Sequence, residues 1–562
     1  MARPDKIKQK RRTTSMTIYF ILSLIVPNFV LLFTEGYSLW TDIALITLPL
    51  GFYMVWSVML RRSGIMVWLG LPFIVLGAFQ IVLLYLFGDS IIATDMFTNV
   101  ITTNPNEASE LLANLYPAVL LVCAMYIPLL WFAALEIARK HLLRNRHRRK
   151  MAAAGGVLMA VGCLALIPAY ANSEDKHVLR DEIFPINVLY NAGLSAQEFR
   201  KTMHFEETSK GFSYHAHRTE NLKQREIYVF IIGEASRAAS WQLFGYERET
   251  NPELSRRTDI QLYGNMMTQS NTTHKSIPTI LSSVATAEHE ELYRRKGLPE
   301  LFREAGFRTN FISNQSPNGA MIDKLASDAH HVVYITNPRM DMQMLDEMRK
   351  QVQLHPDEDM MFILHCYGSH FSYYQRYPRD FAKFVPEDDV AVVAANVDIL
   401  RNSYDNSILY TDHFINSVIE YLKSLQGVCT AMLYCADHGE DLFDDARGRF
   451  LHASPTTTYY QLHVAALSWF SEAYRKAFPQ KVEAAESHSH APATTHALFH
   501  TMADMASIEG DYVDESASLL SPAFDMSRQR FYLNDHNEAV PYMKTGLKEF
   551  DFIQFRSRNL DL

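Results

Sequence analysis

The 562-residue sequence predicts two fold classes in one chain: a five-span α-helical transmembrane bundle, followed by an α/β domain with a mainly parallel sheet. Five apolar stretches in the first 170 residues predict the bundle, because each is long enough to cross a bilayer. Alternating strand and helix patterns after residue 226 predict the α/β domain. Polar residues directly after two of its strands predict a site at the carboxyl edge of the sheet.

The pattern predicts a transmembrane domain at 1–172, an interfacial linker at 173–225 and a soluble domain at 226–562. Each span contains a proline or a glycine, which transmembrane helices tolerate. The linker is polar but keeps regularly spaced apolar positions, which favours an interfacial segment over a flexible tether. The predicted spans are 17–34, 41–60, 64–87, 115–137 and 152–171.

Basic residues in the loops orient the bundle. The stretch 139–150 holds seven of them, and Arg61 and Arg62 separate the second span from the third, whereas loops 35–40 and 88–114 contain no Lys or Arg. By the positive-inside rule, the amino terminus is cytoplasmic and the soluble domain lies outside. Loop 88–114 also has apolar residues spaced for a short amphipathic helix at the outer membrane surface.

Charge is distributed unevenly along the chain. Residues 1–150 hold 15 basic and 8 acidic side chains, a net charge of +7. Because the whole chain carries −9, residues 151–562 carry −16. An acidic exterior argues against nucleic-acid binding, which needs a basic surface. Five cysteines are few for an exported chain of this length, and we expect no disulfide.

Short apolar runs alternate with amphipathic helical patterns in the soluble domain, which favours a parallel sheet covered by helices on both faces. The predicted strands are 226–233, 307–313, 331–336, 360–366, 429–436 and 460–470, and the predicted helices are 297–306, 340–353 and 403–425.

Two of these strands end in residues that bind divalent metals. The run IYVFIIGE ends at Glu234, and TAMLYCADHGE places Asp437, His438 and Glu440 after a second apolar strand. Carboxylates and imidazole suit a zinc-like ion, and the absence of cysteine ligands favours a catalytic site over a structural one.

Hydroxyl groups lie between the two strands, in MTQSNTTHKSIPTILSS at 266–283. Because Pro278 fits only the first turn of a helix, a helix is predicted to begin near Ile277, with its positive end facing Thr272 and Thr273. A threonine becomes a good nucleophile when a metal lowers its pKa. Helix capping is the alternative role, but the nearby ligand set favours a nucleophile.

Five segments of the soluble domain occur in the order and spacing of one known family. They are GEASRAASWQLFGYERETNP (233–252), SNTTHKSIP (270–278), HCYGSHFSYYQRYP (365–378), NSYDNSILYTD (402–412) and ADHGEDL (436–442). Together with the five-span module and its loop DMFTNVITTNPNEASELL, they resemble the membrane-bound phosphoethanolamine transferases. The resemblance covers nearly the whole chain.

This resemblance implies an alkaline-phosphatase-like, sulfatase-type catalytic domain that binds Zn²⁺, with one ion expected and a second possible. Carried over by motif, the zinc ligands are Glu234, Thr273, Asp437 and His438. The family spacing to the proline identifies Thr273, rather than Thr272, as the nucleophile.

The resemblance also implies two catalytic histidines, His370 in GSHF and His452 in FLHAS, which would hold the phosphoryl and ethanolamine groups. For each one taken alone, a structural role explains the residue equally well. The motif match favours catalysis.

Four further residues are weaker substrate-binding candidates. Asn314 follows a strand, although a turn asparagine is the commoner explanation. Lys275 lies close to the nucleophile and could offset phosphate charge. His496 and His500, in TTHALFH, are similar to a family stretch near the active site, and together with His488 and His490 they resemble a secondary metal site.

The implied function is transfer of phosphoethanolamine from phosphatidylethanolamine to an envelope lipid or glycan such as lipid A or the LPS core. The reaction would pass through a zinc-activated threonine and a phospho-threonine, and would release diacylglycerol. The enzyme would lie in the bacterial inner membrane with its catalytic domain in the periplasm. The alternatives are a phosphoglycerol transferase, a sulfatase-like phosphodiester hydrolase or a non-catalytic membrane sensor.

Two departures from the family pattern weigh against lipid A as the acceptor. Gln269 and Thr279 stand where family members that act on lipid A often have disulfide-bonded cysteines. The usual NHG motif also reads Ser369, His370, Phe371. Neither departure affects the first half-reaction.

Overall fold

The computed structural model divides the chain into two compact units. One comprises Met1–Phe97 and Leu115–Ser195, and the other comprises Thr98–Asn114 and Ala196–Leu562. The domain boundaries predicted at residues 172 and 225 stay a prediction. The residues that the structure describes are 4–88, 90–102, 109, 112–173, 177–335, 340–560 and 562.

Long apolar helices form the first unit, as predicted. The described helices before residue 210 are α1 (Pro4–Thr34), α2 (Leu39–Ser57), α3 (Ser63–Leu69), α4 (Leu71–Phe87), α5 (Thr94–Thr102), α6 (Tyr116–Ala138), α7 (Asn145–Asn172), α8 (Val178–Asp181), α9 (Ile186–Met203) and α10 (Phe205–Thr208). Among them, α1, α2, α6 and α7 are long and apolar enough to cross a membrane. The pair α3 and α4 is bent by 55° and would make a fifth span.

Glycines allow α2 and α7 to pack closely. A Cβ added to Gly51 would lie 2.6 Å from the carbonyl oxygen of Gly155, and one added to Gly155 would lie 2.7 Å from that of Gly51. The two backbones are therefore in direct contact, as in many membrane helix pairs that meet at small residues.

A seven-stranded sheet organises the second unit. Its strands and those of the smaller sheets are β1 (His217–Arg218), β2 (Glu226–Gly233), β3 (Ile260–Leu262), β4 (Met266–Met267), β5 (Arg308–Ser313), β6 (His331–Tyr334), β7 (Met360–His365), β8 (Cys429–Ala436), β9 (Asp441–Leu442), β10 (Phe450–Leu451), β11 (Ala466–Phe470), β12 (Ala493–Thr494), β13 (Ile508–Glu509), β14 (Phe531–Leu533) and β15 (Ala539–Pro541). The order in the main sheet is β3-β11-β8-β2-β7-β5-β6. Neighbouring strands from β8 to β6 are parallel, and β11 pairs antiparallel with β8 and β3. The predicted mainly parallel α/β sheet is confirmed.

Every residue of β2, β7 and β8 is buried, as expected for central strands covered on both faces. The α-helices of this unit after residue 210 are α11 (Thr273–Ile280), α12 (Leu298–Glu304), α13 (Met321–Ala326), α14 (Met342–Leu354), α15 (Val397–Ser424), α16 (Tyr459–Leu462), α17 (Glu472–Ala477), α18 (Pro479–Ser487), α19 (Ala497–Met505) and α20 (Glu549–Ser557).

Two local predictions are wrong. The strand predicted at 460–470 is α16 followed by β11, because Thr458 caps a helical turn by accepting a hydrogen bond from the Gln461 amide. The helix predicted to begin near Ile277 begins at Thr273, so Pro278 lies inside it. In this eight-residue helix the proline removes only one backbone hydrogen bond.

Phe230, in the middle of β2, is fully buried and lies opposite Ile363 of β7 and Leu433 of β8. We expect Phe230→Ala to lower the free energy of unfolding by about 3–5 kcal/mol, because the cavity cannot collapse between paired strands. Denaturant unfolding of the second unit measures this loss. The control is Leu354→Ala, at a side chain 59% exposed, which should cost under about 0.5 kcal/mol. Equal losses in both variants would contradict the placement of the core.

Candidate active site

Two neighbouring strands bring acidic residues to one edge of the sheet. Gly233, the last residue of β2, lies opposite Ala436, the last residue of β8. Glu234 and Asp437 therefore leave the sheet side by side, and both are completely buried.

Thr273, the first residue of α11, reaches the same point. Its Oγ1 lies 3.2 Å from Glu234 Oε2 and 3.1 Å from His438 Nε2. His438 Nε2 in turn lies 3.4 Å from Glu234 Oε1 and 3.4 Å from Asp437 Oδ2. The structure thus brings together all four residues that the sequence proposes as metal ligands, which we call the ligand cluster.

The spacing within the ligand cluster fits a tetrahedral divalent metal. Bonds of about 2.0–2.1 Å require about 3.3–3.4 Å between ligand atoms, close to the separations observed here. Asp437 Oδ2 is buried and receives no hydrogen bond of good geometry from a described residue, so its lone pairs are available. In addition, Glu234, His438 and His452 each offer a ligand atom within 4.8 Å of the others. The residues present therefore fit a zinc-like ion.

Electrostatics also favour a cation in the ligand cluster. Burial, with a further contribution from Asp437, raises the pKa of Glu234 well above its usual range. Burial raises the pKa of Asp437 to about 7. No described Lys or Arg forms an ion pair with either carboxylate. A divalent cation would relieve this repulsion and keep both groups ionised.

Backbone groups orient two of the ligands. Asp437 Oδ1 accepts hydrogen bonds from the amides of Ala235 and His438, at 3.1 and 2.8 Å. His438 Nδ1 lies 2.9 Å from the carbonyl oxygen of Gly439. Because a carbonyl can only accept, Nδ1 carries the proton and Nε2 presents its lone pair to the ligand cluster.

Gln315 is a site residue that the sequence reasoning missed. Its Nε2 donates to Glu234 Oε2 and to the Cys366 carbonyl, both at 2.9 Å, and so fixes the orientation of the Glu234 carboxylate. Its position just after β5, at the same sheet edge as Glu234, is the feature that could have identified it from the sequence.

His452 lies beside the ligand cluster, with its ring centroid 4.0 Å from that of His438. Its Nδ1 is 2.6 Å from Glu440 Oε2, and the Tyr373 hydroxyl donates to Glu440 Oε1 at 2.6 Å. Burial lowers the pKa of His452 to about 4 and raises that of Glu440 to about 7. Glu440 therefore orients His452, a contact that the sequence did not predict.

His370 is held by aromatic and backbone contacts. Its ring stacks on Tyr367 at a centroid distance of 5.1 Å, and its Nδ1 lies 2.6 Å from the Phe371 carbonyl. The Arg376 guanidinium lies 3.9 Å from the centroid of the Tyr367 ring, and its Nε donates to the His370 carbonyl at 2.9 Å. These contacts hold the His370 ring through the loop that follows β7.

Asn314 supports the loop that carries His370. Its Nδ2 donates to Asp341 Oδ1 at 2.7 Å, and Asp341 accepts the amides of Tyr367 and Gly368 at 2.9 and 3.1 Å. The headgroup contact suggested for Asn314 by the sequence stays a prediction.

Three other sequence candidates contact residues that do not belong to the ligand cluster. Lys275 Nζ donates to the Asn534 carbonyl at 2.8 Å. The rings of His496 and His500 pack at 4.8 Å, and His500 Nδ1 accepts the Asp514 amide at 3.1 Å. Burial lowers the pKa of His496 to about 4.

Two family models match the chain. One, described as Sulfatase, matches residues 226–508, which is half of the chain. The other, described as Phosphoethanolamine transferase EptA/EptB, matches residues 89–198.

One named relative is similar to about half of this chain. Kdo(2)-lipid A phosphoethanolamine 7''-transferase of Escherichia coli (strain K12) is 31% identical over 277 residues, which is 47% of this chain and 47% of that protein. The chain thus spans about half the length of this relative.

Two solved structures share the fold. Lipooligosaccharide phosphoethanolamine transferase A from Neisseria meningitidis has a TM-score of 0.71 at 20% identity, over 90% of this chain and 97% of that one. The periplasmic domain of EcEptC from Escherichia coli, in complex with Zn, has a TM-score of 0.53 at 23% identity, over 60% and 97%.

Gln315→Ala should weaken Zn²⁺ binding by about 10–100-fold, because Glu234 would lose the donor that orients it. Competition with a fluorescent chelator on the purified chain measures this affinity. Gln375→Ala, at an exposed glutamine, is the matched control and should bind as the unsubstituted chain does. Unchanged affinity in the Gln315 variant would contradict the orienting role.

Proposed function

The chain belongs to the sulfatase family, and we propose that it is one of the membrane-bound phosphoethanolamine transferases, whose family model matches residues 89–198. It would transfer phosphoethanolamine from phosphatidylethanolamine to an envelope lipid or glycan. The observation that carries the proposal is the position of Thr273 Oγ1, within 3.1–3.2 Å of His438 Nε2 and Glu234 Oε2 at the carboxyl edge of the sheet. A hydroxyl placed there is poised for nucleophilic catalysis rather than for capping alone.

Glu234, Thr273, Asp437 and His438 would hold one zinc ion. When bound, zinc would neutralise charge on the non-bridging phosphodiester oxygens and lower the pKa of the Thr273 hydroxyl. The buried, mutually repelling carboxylates favour such an ion for the reasons given above.

Thr273 would act in two steps. In the first, its oxygen forms a bond to phosphorus while the bond between phosphorus and the diacylglycerol oxygen breaks, which leaves phosphoethanolamine on the threonine. In the second, an acceptor oxygen attacks the same phosphorus and releases Thr273. The positive end of α11, which begins at Thr273, would favour the negative charge in both steps.

His452 is the residue best placed to move protons. It would protonate the departing diacylglycerol oxygen and later accept the proton of the acceptor hydroxyl. Glu440, hydrogen-bonded to Nδ1, would stabilise the protonated imidazole, as the buried carboxylate does in other acid–histidine pairs. His370 would bind the phosphoryl or ethanolamine group, as the family motif implies.

The spans and loop charges support a location in the inner membrane, with the second unit in the periplasm. A phospholipid donor would then reach the site from the outer leaflet of that membrane. The family implies an envelope lipid or glycan as the acceptor, and Gln269, Thr279 and the Ser369, His370, Phe371 motif weigh against lipid A.

Thr273→Ala should abolish transfer from labelled phosphatidylethanolamine, because no other hydroxyl belongs to the ligand cluster. Diacylglycerol release in detergent micelles measures the reaction. Thr272→Ala is the matched control and should retain activity within about threefold, since the Thr272 hydroxyl caps no N–H of the helix and instead lies 3.2 Å from Ser270 Oγ. Activity retained in the Thr273 variant, or lost only in the Thr272 variant, would sink the assignment.

Incubation with donor lipid in the absence of acceptor should leave one phosphoethanolamine group on Thr273. Peptide mass spectrometry identifies both the position and the mass of the group. A phosphoglycerol adduct would instead support the phosphoglycerol transferase alternative. The absence of any adduct under conditions that release diacylglycerol would refute the phospho-threonine intermediate.

A further inference from the structure

A cleft lies next to the loop that follows β8 and carries Asp437, His438 and Glu440. Its volume is about 300 Å³, and it is lined by the segment after β2, by the start of α15 and by the end of α20. Arg237 lines the cleft and also contacts this loop, because its Nη1 donates to the Glu440 carbonyl at 3.1 Å. None of the four proposed zinc ligands lines this cleft, so it is a separate site.

Two of the four arginines that line the cleft are already paired. Arg237 Nη1 lies 2.6 Å from Asp444 Oδ2, and Arg248 Nη1 lies 2.6 Å from Asp405 Oδ2. These two ion pairs carry no net charge.

The other two arginines are largely unpaired. Arg401 Nη2 donates to the Leu442 carbonyl at 3.3 Å and lies 3.9 Å from Asp444 Oδ1. Arg558 Nη1 donates to the Phe244 carbonyl at 2.7 Å. Because a guanidinium has five N–H donors, most donors on both arginines have no acceptor among the described residues.

Two carboxylates in the same cleft are also unpaired. Glu247 and Asp398 line it, and neither forms an ion pair or hydrogen bond with a described residue. Asp398 and Arg401 are one turn apart on α15 yet do not pair. The cleft therefore presents two open positive and two open negative groups.

We propose that this cleft binds a zwitterion that carries a phosphate-type anion and a primary ammonium. Arg401 and Arg558 bind the anion through charge-assisted hydrogen bonds, and Glu247 and Asp398 bind the ammonium. A simple anion would leave the carboxylates unpaired, and a simple cation would leave the guanidiniums unpaired. A ligand with both charges pairs with all four groups at once.

Phosphoethanolamine is the zwitterion of this type that the chain would encounter, and this choice rests on the proposed function. The charge pattern of the cleft does not depend on that function. A soluble phosphoethanolamine ester and a phospholipid headgroup present the same two charges, so either could be the source.

Calorimetric titration of the full-length chain in detergent with O-phosphoethanolamine tests the proposal. We expect a binding event outside the ligand cluster, which weakens by at least about tenfold in the Arg401→Gln/Arg558→Gln variant. Glu247→Gln/Asp398→Asn should weaken O-phosphoethanolamine similarly but leave inorganic phosphate binding equal or tighter. The titration measures binding without turnover, so its result can be interpreted even if the chain does not catalyse the proposed transfer.

Matched controls lie two residues away. Arg556→Gln and Glu249→Gln remove exposed charges that pair with Glu549 and Lys383, outside the cleft, and should bind as the unsubstituted chain does. Unchanged thermal unfolding and zinc content show that the cleft variants are folded.

Dihexanoyl phosphatidylethanolamine identifies the source of the ligand. Displacement of O-phosphoethanolamine by this lipid supports a headgroup ligand, and no displacement supports a soluble ester. The proposal is overturned if the Arg401/Arg558 variant binds O-phosphoethanolamine normally. It is equally overturned if the Glu247/Asp398 variant loses inorganic phosphate binding to the same extent, because the carboxylates would then only position the arginines.

Discussion

The register between β2 and β8 is the constraint on which the site depends. Because Gly233 lies opposite Ala436, Glu234 and Asp437 leave adjacent strands at the same edge. A slip of one residue would move a ligand by about 3.3 Å and turn it to the other face of the sheet. Close packing on both faces of these strands resists such a slip, since every side chain would have to fit a space shaped for its neighbour. The packing of the core thus sets the geometry of the chemistry.

The same edge concentrates charge that the fold alone does not neutralise. Glu234 and Asp437 are buried together without a paired Lys or Arg among the described residues, and burial raises the pKa of both. An unpaired buried charge is costly, so a cation would stabilise the fold as well as enable the reaction. Close packing limits the loop further: a Cβ on Gly439 would lie 1.9 Å from the Tyr460 carbonyl oxygen. Little freedom remains for the residues around the ligands.

Local patterns in the sequence predicted much of this arrangement. Buried strands appear in the sequence as apolar runs. A carboxylate directly after such a run marks the edge of the sheet, so Glu234 and Asp437 could be identified from the sequence. The family motif singled out Thr273, although the start of its helix was misplaced because a proline inside so short a helix costs little. Gln315 and the contact of Asn314 with Asp341 could not be predicted, since they depend on which loops pack together above the sheet.

The central claim is that one zinc ion is held by oxygen and nitrogen ligands that include the nucleophile. X-ray absorption at the zinc edge on the purified full-length chain tests it directly. The account predicts about one zinc per chain with four oxygen or nitrogen neighbours near 2.0 Å, and loss of one oxygen neighbour in the Thr273→Ala variant. Sulfur neighbours near 2.3 Å, or a spectrum unaffected by that substitution, would contradict it.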